Sequence, residues 1–304
     1  MRIAQLAPLA ESVPPKLYGG TERVVAWLVD ELVDLGHDVT LFASGGSRTR
    51  GNLHPVWPHA LRLGRKGADP NAACTLLLEA IAKRASDFDV IHAHIDWLPL
   101  PLLSRLGVPF LTTMHGRLDL PGLPDVIREF PKANFVSISE HQRLPIPDAN
   151  WSSTIQHGLP VNLFRPSYGE GSYLAFLGRL TAEKGPEDAI RIARAAGKPL
   201  HIAAKIPRAE TAYFKKHLQP HIDGEKVKLV GEVNEVGGSR VAWPLFLTAK
   251  LSSRHCKSRP PGSGHREGAR LERFRNACSS STVLSSRGFW SSVSRTATLT
   301  TNAL

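Results

Sequence analysis

Gly178-Arg179-Leu180-Thr181-Ala182-Glu183-Lys184-Gly185 places two fixed cations between an apolar run and an amphipathic one. Upstream, Tyr173-Leu174-Ala175-Phe176-Leu177 has the composition of a buried strand. Downstream, Gly185-Pro186-Glu187-Asp188 carries the signals of a helix start, and apolar Ala189, Ile192, Ala193 and Ala196 follow at helical spacing. Arg179 and Lys184 are therefore expected at the carboxyl end of a strand. Open α/β sheets bind ligands there, and the N-terminus of the next helix adds partial positive charge. These residue types suit phosphate, and a surface pair flanking a tight turn is the alternative.

The N-terminus has a matching arrangement. Arg2-Ile3-Ala4-Gln5-Leu6-Ala7 reads as a strand, and a loop follows that ends in Tyr18-Gly19-Gly20-Thr21-Glu22. Val24, Val25, Leu28, Leu32 and Leu35 then mark a helix that stops at Gly36, and Asp38-Val39-Thr40-Leu41-Phe42-Ala43 is a second strand. Paired glycines at this first turn would let a phosphate reach the amides of Gly19 and Gly20. The spacing is not the GxGxxG of dinucleotide-binding enzymes, which argues against a nicotinamide or flavin enzyme and against a nucleotide-sugar epimerase or dehydrogenase.

Strand patterns near 2–7, 38–43, 89–94, 109–114, 134–139, 173–178, 199–205 and 226–231 alternate with helical patterns near 21–35, 72–85, 97–106, 185–197 and 208–218. Such alternation predicts an α/β fold of parallel sheets covered by helices. Residues 1 to about 235 resemble the retaining glycosyltransferases of family 4. The resemblance rests on Tyr18-Gly19-Gly20-Thr21-Glu22-Arg23, Asp89-Val90-Ile91-His92-Ala93-His94, Thr112-Thr113-Met114-His115-Gly116, and Gly178-Arg179 with Lys184-Gly185. Ile155-Gln156-His157-Gly158-Leu159-Pro160 with Phe164-Arg165-Pro166 is similar to the family's interdomain segment.

The resemblance implies a GT-B fold with an N-terminal Rossmann-like acceptor-side domain over 1–165. The first part of a second, nucleotide-sugar-binding Rossmann-like domain would occupy 166–235. It also implies transfer of a sugar from a nucleotide-sugar donor to an acceptor hydroxyl with retention of configuration, without cofactor or required metal; the sequence is read as having no Asp-x-Asp, so that no paired carboxylates are set up to ligate Mg²⁺. In that frame His115, Arg179 and Lys184 are the catalytic candidates, and Gly19, Gly20, Arg179 and Lys184 hold the donor phosphates. The two cations would neutralise charge developing on the departing diphosphate. His94 and Asp96 are the acceptor-side candidates.

His92 and His94 are expected on opposite faces of their strand, with His92 a buried, satisfied side chain. Glu140 and His141 are weaker candidates for the site, and Ser139 would serve equally well as a helix cap. His157 is assigned to shaping the linker.

The chain changes character at Val236. Residues 236–304 hold 11 Lys and Arg against two carboxylates, Glu267 and Glu272, so they supply +9 of the chain's net +11. The segment lacks Ile, Asp, Tyr, Met and Gln and is crowded with Ser, Arg and Thr. It is expected to be a disordered basic tail or an out-of-frame translation, and the frame change is preferred because several residue types vanish together. The family's later pair of glutamates, seven residues apart, has no counterpart there. The implied donor site is thus incomplete and the chain is expected to be inactive, with an exposed sheet edge left after strand 226–231.

A non-catalytic carbohydrate- or ligand-binding protein with a basic attachment tail is the competing reading. Peripheral contact with an anionic membrane is the use such a tail allows. The six Trp form no stacking ladder, which counts against specific nucleic-acid binding. Three cysteines make no disulfide framework, and no run has the length of a membrane span, so a cytoplasmic chain is expected, with the inner membrane face as the alternative location. His255, Cys256, His265 and Cys278 are too irregularly spaced for a metal site.

Overall fold

The computed structural model describes residues 1–62, 68–160, 163 and 172–233. The tail from Val236 and the Phe164-Arg165-Pro166 motif lie outside the described residues. The chain divides into two compact units, with the break between Val161 and Asn162.

The first unit is built on a seven-stranded parallel sheet: β1 (Arg2–Leu6), β2 (Asp38–Ser44), β3 (Asn52–Trp57), β4 (Val90–Ala93), β5 (Phe110–Met114), β6 (Asn134–Ser137) and β7 (Trp151–Thr154). Their order across the sheet is β3-β2-β1-β4-β5-β6-β7, a doubly wound arrangement whose order reverses between β1 and β4. Helices α1 (Gly20–Asp34), α2 (Pro70–Ala82), α3 (Leu100–Leu103), α4 (Leu123–Arg128) and α5 (Glu140–Arg143) complete the unit. Val25, Val29 and Leu32 of α1 pack with Ile3, Val39 and Leu41, while Leu77 and Ile81 of α2 pack with Leu6, Phe42 and Ile91. The sheet is thus apolar on both faces, as a covered parallel sheet must be.

Several elements depart from the sequence pattern. Strands β3 and β7 were not expected; both are outer strands and only half-buried, so neither carries a continuous apolar run. The helix expected over 97–106 shrinks to Leu100–Leu103, because Pro99 and Pro101 restrict its N-terminal side. On α1, Val29 is buried where Leu35 was expected, and Glu22 lies in the interior.

The second unit has a three-stranded parallel sheet ordered β10-β9-β8, from β8 (Leu174–Arg179), β9 (Leu200–Lys205) and β10 (Val227–Leu229). Helix α6 (Pro186–Ala195) packs on it through Ile190 and Ala193. Ile192, named above as an apolar-face position, is 39% exposed; the buried face follows Pro186, Ile190 and Ala193, spaced by four and then three. The helix expected over 208–218 is a succession of tight turns, one α turn at Thr211–Tyr213 and a π turn at Phe214–Leu218.

Among the described residues this sheet has two unpaired edges, at β10 and at β8. In the first unit the first strand, β1, is paired on both sides, by β2 and β4. Among the described residues its counterpart β8 pairs only with β9, and Leu177 on it is 41% exposed. By the doubly wound order, the side of β8 away from β9 is where a fourth strand would add; the edge expected after strand 226–231 is the outer side of β10.

Candidate functional site

The central strands of the first sheet carry a polar stripe inside an otherwise apolar layer. The parallel register sets Gln5 of β1 beside His92 of β4. His94 lies two residues farther on, and residues two apart on a strand share a face. The rings of His92 and His94 accordingly lie 4.1 Å apart, centroid to centroid, which overturns the expectation that they face opposite ways.

Hydrogen bonds run through this stripe from end to end. His92 Nε2 is 2.8 Å from Thr113 Oγ1, and its Nδ1 is 3.4 Å from Gln5 Nε2. Gln5 Oε1 lies 2.8 Å from His94 Nε2, and His94 Nδ1 lies 3.0 Å from His115 Nε2. Gln5 and His94 are buried. Burial lowers the pKa of His92 to about 4 and that of His115 to about 3. It also holds His94 well below its usual range, helped by the neighbouring histidines. All three rings are neutral at pH 7. The bonded, neutral His92 matches its expectation as a satisfied side chain.

His115 follows β5 directly, and its backbone is pinned from two sides. Asp96 Oδ1 accepts its amide at 3.0 Å. Gln142 of α5 donates through Nε2 to the carbonyls of Met114 and Gly116, at 2.9 and 2.8 Å. Ser139 caps α5 by accepting the Gln142 amide, so the capping alternative holds, while Glu140 and His141 are exposed. The Asp96 carboxylate thus has a structural occupation besides the acceptor-side role expected of it. Burial raises its pKa, opposed by the amides of His115 and Gly116. The His115 ring stacks on exposed His157, centroids 5.1 Å apart and planes 18° apart. His157 was assigned only to the linker; Gln5 and Thr113 were quoted only within their strand and motif, with no role, and Gln142 was not named.

The glycine loop divides its work unequally. Gly19 caps α1 at φ 151°, and a Cβ there would lie 2.7 Å from Pro15 Cβ, whereas a Cβ on Gly20 would meet nothing within 4 Å. Gly19 is therefore required by its own loop, and Gly20 is the open position.

In the second unit, Arg179 ends β8 and Lys184 ends the tight turn Ala182–Lys184, which Gly185 closes in the left-handed conformation at φ 70°. Pro186 opens α6 immediately afterwards. Both cations thus stand at the carboxyl end of a parallel strand beside a helix N-terminus, as the spacing predicts. Arg179 Nη2 donates to Glu183 Oε1 at 3.1 Å, and its Nε is buried without a partner. Lys184 is exposed. The competing carboxylate of Glu183 was not anticipated.

One Asp-x-Asp sequence does occur, Asp87-Phe88-Asp89. Asp87 pairs with Arg84, and Asp89 with Arg2 at the amino ends of β4 and β1, opposite to the ligand-binding ends of the strands. Among the described residues no group of three or more His, Cys, Asp or Glu is placed to hold a metal ion, and no helix is long and apolar enough to cross a membrane.

Residues 18–144 match the model of the family described as Glycosyltransferase Family 4. No curated protein matches the sequence. Among solved structures the chain is similar to AviGT4, a glycosyltransferase involved in avilamycin A biosynthesis, at 26% identity and a TM-score of 0.55. That match covers 79% of this chain and 65% of AviGT4, so the chain spans slightly less than two thirds of that protein. Sucrose-phosphate synthase from Thermosynechococcus elongatus shares the fold at 14% identity and a TM-score of 0.59, over 78% of this chain and 72% of that one. An Anabaena protein, HepE, solved with UDP and glucose, does so at 18% identity and 0.54, over 78% and 71%. Residues 18–144 thus carry the match to glycosyltransferase family 4, in a chain built from parallel α/β units of the GT-B type.

Proposed function

We propose that the chain descends from an enzyme that moves a sugar from a nucleotide-sugar donor to an acceptor hydroxyl with retention of configuration. The observation that carries this reading is the placement of Arg179 and Lys184 at the carboxyl end of β8, against the N-terminus of α6. There the two cations would neutralise charge on the departing diphosphate, an effect larger in the transition state than in the ground state. His115, with a neutral ring on a backbone held by Asp96 and Gln142, would orient a sugar hydroxyl; His94 lies behind it. The family match supports the reaction class, and the UDP and glucose solved with HepE support a nucleotide-linked donor.

The domain division at 165 and 235, the cytoplasmic location and the independence from metal belong to the same proposal. As it stands the chain binds donor weakly and transfers nothing, because 236–304 lack two glutamates seven residues apart. Translating the other frames after codon 235 tests this first: one should restore βα periodicity and that glutamate pair. A protein made from the restored frame should form glycoside, and Arg179→Ala or Lys184→Ala in it should slow turnover about 10²–10³-fold. Frames holding only stops and random composition would overturn the frame-change account. Carbohydrate binding without transfer by the restored protein would favour the non-catalytic reading.

A further inference from the structure

The stripe Thr113–His92–Gln5–His94–His115 holds three rings, each of which could carry its proton on either nitrogen. Only Gln5 has chemically distinct ends. Its Oε1 can only accept, so His94 Nε2 must carry the proton in the 2.8 Å contact. A neutral His94 then has a bare Nδ1, and the 3.0 Å contact to His115 requires the proton on His115 Nε2. On the other arm, Gln5 Nε2 can only donate, which leaves His92 Nδ1 bare and directs His92 Nε2–H to Thr113 Oγ1.

We propose that Gln5 is a positioning residue that fixes the tautomers of all three histidines, so that His115 presents Nδ1 as a lone pair and can only accept a hydrogen bond. His115 Nδ1 is buried with no protein partner. That is tolerable for a lone pair and more costly for an N–H, since orphaned buried N–H groups are the rarer defect. Burial, which keeps the rings neutral, makes the relay possible, because an imidazolium would donate from both nitrogens and break it.

The consequence rests on the reading of His115 as the residue that meets a sugar hydroxyl: the hydroxyl reaching Nδ1 must be the donor. A donor lacking that hydroxyl, or carrying an ether in its place, would be discriminated against at this position.

Two-dimensional ¹⁵N–¹H spectra of the histidine rings test the assignment in the purified chain, without ligand or activity. The expected result is the Nε2–H tautomer at His92, His94 and His115 from pH 8 to pH 5, with no ring of the three titrating. Besides one another, the titratable groups facing His115 among the described residues are His157 and Asp96. Gln5→Met, of similar volume but without hydrogen bonds, should let His94 and His115 populate both tautomers. Gln5→Glu, which accepts on both arms, should turn His92 to the Nδ1–H form or bring a ring into the titrating range. Nδ1–H at His94 and His115 in the wild-type chain would overturn the proposal, as would ring spectra unchanged in both variants. Wild-type spectra stand even if a variant misfolds. Titration with nucleoside diphosphate sugars reads the functional proposal separately: absent donor binding with these tautomers in place would fail that reading and leave this one standing.

Discussion

The carboxylate of Asp96 accepts the main-chain amide of His115 at 3.0 Å, while Asp96 itself sits at φ 52°. A residue that adopts the left-handed region without being glycine needs a local reason, and Asx side chains supply one by bonding nearby backbone. Here the loop after β4 is bent so that its carboxylate holds the loop after β5. Asp96→Ala should lower stability by about 1–3 kcal/mol, because the part-buried amide of His115 loses its acceptor, and Asp96→Asn should cost less. Urea unfolding of the three proteins checks this, and a stable alanine variant would show that water serves the amide equally well.

The histidine stripe should make the first unit sensitive to mild acid. A histidine with a folded pKa below its unfolded value near 6.5 takes up its proton mainly in the unfolded chain. The stability from neutral rings is therefore complete above pH 6.5. It is lost as pH falls toward about 4 for His92 and about 3 for His115, with His94 acting in the same direction. Each ring contributes a slope of about 1.4 kcal/mol per pH unit. Asp96 and Glu22, whose pKa values are raised chiefly by burial, act in the opposite sense nearer their own range. Unfolding free energies between pH 6.5 and 5 should thus fall with pH, and less steeply in His92→Asn. A flat profile would mean that the rings are already solvated.

The two glycines before α1 should respond differently to a methyl group. Gly19→Ala puts a Cβ 2.7 Å from Pro15 Cβ at φ 151° and should destabilise by about 1–3 kcal/mol. Gly20→Ala meets open space at the first helical position and should be neutral within about 0.5 kcal/mol. Thermal unfolding separates them. Equal losses would show that the loop constrains both positions alike.

Glu183 should compete with an anionic ligand for Arg179. The pair is partly exposed, with side chains 40% and 37% accessible, and such pairs are worth about 0.2–1 kcal/mol. Glu183→Gln should therefore tighten binding of a nucleoside diphosphate by roughly 1.5- to 5-fold, read by calorimetry. Weaker binding in that variant would mean that Glu183 orients Arg179 for the ligand and does not compete with it.

Much of this was legible because the deciding signals are local. The turn from Gly178 to Gly185 declares itself through an apolar strand, a left-handed glycine and Pro186 at a helix start. What was missed depends on pairing. Strand β3 contains Pro55 and β7 is mostly polar, so both are recognisable only as outer strands beside β2 and β6. Gln5 looks like a polar interruption in a buried strand until the register sets it beside His92. The two histidines, by contrast, were misplaced although their two-residue spacing alone puts them on one face. Glu183 was visible in the motif, but its hold on Arg179 depends on the compactness of the turn.

The central claim is that the turn carrying Arg179 and Lys184 holds a diphosphate. Calorimetric titration of the purified chain with uridine, guanosine and adenosine diphosphate sugars tests it most directly, with the double variant Arg179→Ala/Lys184→Ala alongside. The account predicts weak, saturable binding of at least one donor by the chain and none by the double variant. Donor affinity unchanged when both cations are removed would contradict it.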